Sequence, residues 1–384
     1  MMTVACRAVQ ALAVLLLAAG TAGAACPAGQ LAVAGGCAPD AEVRSRIDAI
    51  VSGAMEQSRL KAVIAGVAVE GGAPQVEAWG VSMTGIPATP EMSFRNGAVA
   101  IAYLGTVLLQ QSERGTLSLD EPLATWFPDY PRAAEVTPRM LIGGTSGYAD
   151  YVTDPGFLAE LYADPFRDWT PAELIAIGLG RPMVCDPGAC WSYAHTNFVI
   201  LGQVLEQATG RPLAALIEEG VLAPLGLTGT RSDQTAAMPE PVLHAFDAER
   251  GRYEESTYWN PSWTLADGAV MTSTVADVLA SAAAIGEGRL LSPAAHAQQL
   301  APDTARFPPW DAQRWYGFGV FVINGWVVQN PSFAGYAATM AHHPQKKLAI
   351  AAAVTVLEGA GEANYATDVV TGIAAYLAPD APLR

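Results

Sequence analysis

The run from Ala98 to Gln111, AVAIAYLGTVLLQQ, puts Val99, Ile101, Tyr103, Leu104, Val107, Leu108 and Leu109 on nearly every face of a helix. A helix that is apolar all round has to be wrapped by protein on all sides. The segment therefore predicts a central buried helix, ended by Gly115, inside a fold large enough to surround it. The 384 residues and 51% apolar content supply that surrounding material, and they exclude a disordered chain.

Residues 1–25 have the layout of a secretory signal peptide: Arg7, an apolar run from Ala11 to Ala19, then the small-residue exit Gly20-Thr21-Ala22-Gly23-Ala24-Ala25. That run is too short to span a bilayer, and no other stretch is long and apolar enough to do so. Cys26 follows directly, so two outcomes stand: ordinary cleavage, or a lipoprotein-type cleavage with a lipid anchor at Cys26. The expected location is exported, periplasmic or extracellular. Cleavage would remove Arg7 alone among charged residues, leaving the chain one charge more acidic than the formal −16. Such acidity argues against nucleic acid and anionic membrane as partners. In an oxidising compartment the four remaining cysteines predict two short-loop disulfides, Cys26–Cys37 and Cys185–Cys190. Metal binding by the four is the weaker alternative, because Asp186-Pro187-Gly188-Ala189 is a turn sequence that brings two Cα atoms within bridging distance. The histidines lack metal-ligand spacing with nearby acids, so neither a metal nor a cofactor is expected.

Along the chain, 41–57 reads as a helix, followed by strands over Ala62–Val69 and near Gln75–Gly80. Helices over Pro171–Leu179, Phe198–Thr209, Leu213–Val221 and Val275–Ile285 occupy the middle. Strand composition returns in Tyr316–Ile323, Trp326–Gln329, Tyr336–Ala341 and Leu348–Val356, with a turn over 342–347 and a closing helix from Glu362 to Leu377. The expected class is α/β (α+β): one antiparallel sheet built from N- and C-terminal strands, flanked by helices, with an all-helical insertion. A single domain over 26–384 is expected, with a sheet part at about 41–95 and 300–384 and a helical part at about 96–299.

Several local stretches occur in a telling order: Phe94-Arg95-Asn96-Gly97, Gly115 to Leu123, Met140 to Gly147, Trp191-Ser192-Tyr193-Ala194-His195-Thr196-Asn197-Phe198, Gly268 to Asp277, and Gly335-Tyr336. Together they resemble the serine β-lactamase and penicillin-binding protein family, in its class C β-lactamase, D,D-carboxypeptidase and esterase branch. The resemblance spans roughly Ile64 to Val356 and implies a cleft lined by three motifs. The first, SxxK, supplies a serine nucleophile and a lysine base one helical turn on; here Ala98 and Ile101 stand in their places, and neither side chain attacks a carbonyl or takes a proton. The second, YxN, corresponds to Tyr193-Ala194-His195. In an extended segment both end residues would face the cleft. The third, KTG or HxG, corresponds to Gln329-Asn330-Pro331, which has no cation and a proline that donates no backbone hydrogen bond.

Two functions are consistent with this pattern. One is a non-acylating member that keeps the cleft for binding a peptide, an ester or a cell-wall-derived small molecule. The other is a divergent esterase, amidase or peptidase in which Tyr193 and His195 activate water, since imidazole is the side chain best suited to proton transfer near neutral pH. The plain alternative for both residues is ordinary hydrogen bonding inside a vestigial cleft. The literal Ser58-Arg59-Leu60-Lys61 lies before a strand rather than at the head of a buried helix, so it reads as chance. Ser146 and Ser332 have no evident base nearby in sequence. Trp191, Tyr258, Trp259 and Trp263 are candidates to line the cleft or to fill the core.

Overall fold

The structure, a computed structural model, describes residues 26, 30–33, 36–69, 74–232, 235–269 and 271–384. The signal-peptide reading of 1–25 lies outside the described residues. Helix α1 (Asp40–Ser58) begins with Asp40 and Glu42 in its first turn, ends at a left-handed Arg59, and buries Val43, Ile47 and Val51 at four-residue spacing. Each such side chain contributes roughly 1.5–3 kcal/mol through burial. Strands β1 (Leu60–Val69) and β2 (Gln75–Met83) follow as an antiparallel pair. Helix α2 (Val99–Glu113) is the predicted central helix, with Val99 through Leu109 all buried. Helices α3 (His195–Thr209) and α4 (Val275–Gly286) belong to the middle of the chain. The last quarter supplies β3 (Arg314–Tyr316), β4 (Phe321–Ile323), β5 (Trp326–Gln329), β6 (Tyr336–His343), β7 (Leu348–Val356) and helix α5 (Tyr365–Leu377).

Among the described residues these strands join one antiparallel sheet in the order β3-β4-β5-β6-β7-β1-β2, with Ile86–Pro87 beyond β2 and Ser332–Phe333 paired to β6. The N-terminal strand β1 therefore lies in the middle of the sheet, beside β7, with Ala65 opposite Ala352. Side chains alternate between two cores, as a period of two requires. Val63, Ala65, Val67, Ile350, Ala352 and Val354 meet the terminal helices α1 and α5. Ala62, Ile64, Ala349, Ala351 and Ala353 face α2, α4 and the rest of the chain.

Three expectations need correction. Tyr316–Ile323 is not one strand: Gly317 N donates to Val320 O, and the chain turns into the β3–β4 hairpin. His342 and His343 do not sit in a turn but end β6, with His342 1% and His343 6% exposed. The middle of the chain is not purely helical, because Met271–Ser273 pairs with Phe94–Arg95 on one side and with Arg231–Ser232 on the other, and Phe246–Asp247 pairs with Glu254–Glu255. Strands of two or three residues are too short to leave a periodic signal in sequence. Both expected disulfides are present, with S–S distances of 2.05 Å for Cys26–Cys37 and 2.03 Å for Cys185–Cys190. A lipid at Cys26 would need the same sulfur that this bond occupies. Among the described residues no helix is long and apolar enough to cross a membrane.

Candidate functional site

The start of α2 is held from below by the segment before it. Phe94 and Arg95 pair with Ser273 and Thr272, and the buried Asn96 amide donates to Ser273 Oγ at 2.8 Å. Gly97, with φ +49°, and Ala98 then open at the helix N-terminus. A Cβ on Gly97 would stand 2.6 Å from the Pro331 ring, so glycine lets the segment after β5 close over the helix.

A cleft of about 360 Å³ lies here, lined by Gly97, Ala98, Tyr193, His195, Gln329, Asn330 and Pro331. All three motif positions thus meet in one cleft. Ile101 does not reach it: the residue is fully buried in the core, 0% exposed. Aromatic side chains from Trp191, Trp263, Phe321 and Phe333 complete the walls. Tyr258 and Trp259 take no part; Tyr258 is 39% exposed on the surface and Trp259 is buried.

Gln329 is self-satisfied. It is 1% exposed, its amide donates to Gly319 O at 2.8 Å, and its side-chain carbonyl accepts from Asn330 N at 3.2 Å. The carbonyls of Asn330 and Pro331 both accept from the Asn364 amide, which also caps α5. This wall is therefore fixed by neutral hydrogen bonds.

The second motif is bent rather than extended throughout. Ala194 is extended, with φ −147° and ψ 123°, but His195 is the first residue of α3. The rings of Tyr193 and His195 meet edge to face at 5.3 Å. Burial, reinforced by the negative charge of Asp150, pushes the Tyr193 phenol well above its ordinary pKa, so it stays protonated. Among the described residues neither the Tyr193 hydroxyl nor His195 Nε2 has a hydrogen-bond partner. His195 Nδ1 lies 3.0 Å from Asp150 Oδ2, and the His195 backbone N–H donates to Asp150 Oδ1 at 3.1 Å. Asp150 escaped the sequence reading because it is 45 residues away.

The other candidates separate cleanly. Ser146 Oγ donates to Asn197 Oδ1 at 2.6 Å and accepts from Tyr148 N, so it is a buried brace for the loop. Ser332 lines the cleft and is exposed. Lys61 donates to Ser82 O at 2.6 Å, lies over the Phe246 ring and is not among the residues lining the cleft.

Among the described residues, a nine-stranded antiparallel sheet with a buried central helix, and a cleft where three chain segments meet at the head of that helix, define a serine β-lactamase/transpeptidase-like protein. The Beta-lactamase family profile matches residues 47–375, and the chain belongs to that family. It is 27% identical to the esterase EstB of Burkholderia gladioli over 77% of this chain and 82% of that protein. It is 31% identical to penicillin-binding protein 4 of Amycolatopsis lactamdurans over 42% of this chain, spanning only 40% of that longer protein. Among solved structures, a D-stereospecific amidohydrolase from Streptomyces sp. superposes with a TM-score of 0.76 at 25% identity, covering 89% of this chain and 99% of the other. The D-amino acid amidase of Ochrobactrum anthropi shares the fold at TM-score 0.74 and 21% identity, covering 86% and 98%.

Proposed function

We propose that this chain is an exported, non-acylating member of the family that keeps its cleft to bind a small molecule, an ester, a peptide or a cell-wall-derived fragment. One observation carries the reading: the head of α2 presents the Ala98 methyl group to the cleft, with the Ile101 side chain sealed in the core one turn on. No group there attacks a carbonyl, and none removes a proton. The aromatic walls suit an apolar ligand, and His195, Asn330 and Ser332 supply a few polar contacts, the usual make-up of a ligand pocket. The two disulfides and the signal-like leader support export. The sheet part at about 41–95 and 300–384 and the helical part at about 96–299 act as the cleft's two sides. A fluorescent penicillin or a fluorophosphonate should leave the purified protein unlabelled; a label that sticks and maps to the cleft sinks the reading.

A second reading is favoured by the open His195 Nε2 beside a protonated Tyr193. Water attacks a carbonyl carbon, its proton passes to Nε2, and the carbonyl oxygen takes up the electron pair while accepting a hydrogen bond from Tyr193. The intermediate then collapses, the leaving group departs with the proton from Nε2, and acid and alcohol or amine result. The purified protein should hydrolyse small esters. A His195→Ala protein with an unchanged rate would end this reading.

A further inference from the structure

Asp150 is attached to the head of α3 by more than its contact with His195. Thr196 Oγ1 donates to Ala149 O at 2.7 Å, Tyr151 N donates to Thr196 Oγ1 at 3.3 Å, and Ser146 Oγ donates to Asn197 Oδ1 at 2.6 Å. The segment 146–151 is thereby locked to residues 196 and 197, and the carboxylate is presented to the imidazole at a fixed distance. Both side chains are largely withdrawn from water, Asp150 12% and His195 22% exposed. A carboxylate only accepts hydrogen bonds, so a contact of 3.0 Å from Oδ2 to Nδ1 calls for the proton on Nδ1. The titratable groups facing His195 are Asp150, Tyr151 with ring centroids 6.0 Å apart, and Tyr193 at 5.3 Å.

We propose that Asp150 is the positioning residue of the cleft: it holds His195 in the Nδ1–H tautomer and leaves the Nε2 lone pair open, with the Tyr193 ring 5.3 Å away centroid to centroid. The inference rests on the second reading for its catalytic meaning, because a base on water needs that nitrogen unprotonated. As a statement about the tautomer it stands on the contacts alone. Asp150 also accepts from the backbone N–H of Val152 at 3.2 Å and of His195 at 3.1 Å. Asp150→Asn keeps an oxygen for those two donors while offering an amide N–H toward Nδ1, which reverses the tautomer without removing the cap.

Nitrogen-15 spectra of histidine-labelled full-length protein, with the His195 signals assigned by their loss in His195→Gln, test this directly. Expected are a protonated Nδ1 and an unprotonated Nε2 in the parent, and the reverse in Asp150→Asn at an unchanged melting temperature. A parent with its proton on Nε2, or an Asp150→Asn protein with the parent's tautomer, overturns the proposal. The catalytic reading has its own readout. For p-nitrophenyl butyrate, kcat should fall at least about 100-fold in Asp150→Asn with KM within about threefold. A parent with the expected tautomer that hydrolyses no ester overturns the water-activation reading and supports positioning as a binding feature.

Discussion

At the residue scale, Ala98 and Ile101 differ in how they would tolerate a serine and a lysine. Ala98 faces the cleft at the helix start, so Ala98→Ser should change stability by no more than about 0.5 kcal/mol. It should still take no penicillin label, because Ile101 supplies no base one turn on; a labelled Ala98→Ser protein would show that another group of the cleft, such as His195, serves as the base. Ile101→Lys is a different case. The site is 0% exposed and wholly apolar, so an ammonium group there should cost about 3 kcal/mol or more, read as a lowered urea midpoint. A midpoint equal to that of the parent would mean that the new side chain escapes to the cleft. Ala98 and Ile101 were legible in the sequence because the buried helix and the stretch before it set their register. Asp150 was not legible, since nothing local distinguishes it from any other loop carboxylate.

At the element scale, the loop closed by Cys185–Cys190 supports the wall that begins at Trp191. Val184 N donates to Gly147 O, Gly188 N to Thr145 O and Ser192 N to Gly144 O, each at 2.8 Å. Gly147 permits this approach: its φ is +81°, and a Cβ there would lie 2.1 Å from Cys185 O. Replacing both cysteines by alanine should lower stability by about 2 kcal/mol, the chain-entropy value for so short a loop, in denaturant titrations under non-reducing conditions. An unchanged midpoint would show that the three backbone bonds hold the loop alone. The turn sequence within the loop made this staple readable in advance. The β3–β4 hairpin was not, because Tyr316 to Ile323 has strand composition throughout and only Gly317 and Gly319 betray the reversal.

At the scale of the whole molecule, two buried groups set opposing pH responses. Burial pushes His342 down to about 4, and its Nε2 lies 3.4 Å from the nearest Glu287 oxygen. Its ordinary value is 6.5, so its contribution is complete above that pH and is lost as pH falls toward 4. Burial pushes Asp247 up to about 6 from 3.8. The folded state therefore favours the protonated acid, and stability falls as pH rises from about 4 to 6 on its account. Asp247→Asn should accordingly gain about 1–2 kcal/mol over the parent at pH 7.5 and nothing at pH 4. His342→Asn should remove about 2 kcal/mol of the parent's loss between pH 6.5 and 4. Urea denaturation at a series of pH values checks both, and a pH slope unchanged by the substitution would contradict the assignment for that residue.

The sequence by itself determined the central helix, the terminal strands of the sheet, both disulfide pairs and the place of Ala98 and Ile101 at the head of that helix. Each depends on local composition, spacing or a motif in register. Tertiary structure alone decided that β1 lies beside β7, that Gln329 satisfies itself within its wall, that His342 is buried, and that Asp150 meets His195. Those outcomes depend on which segments, tens or hundreds of residues apart, come to share one face of a sheet or the end of one helix, and local patterns carry no record of that.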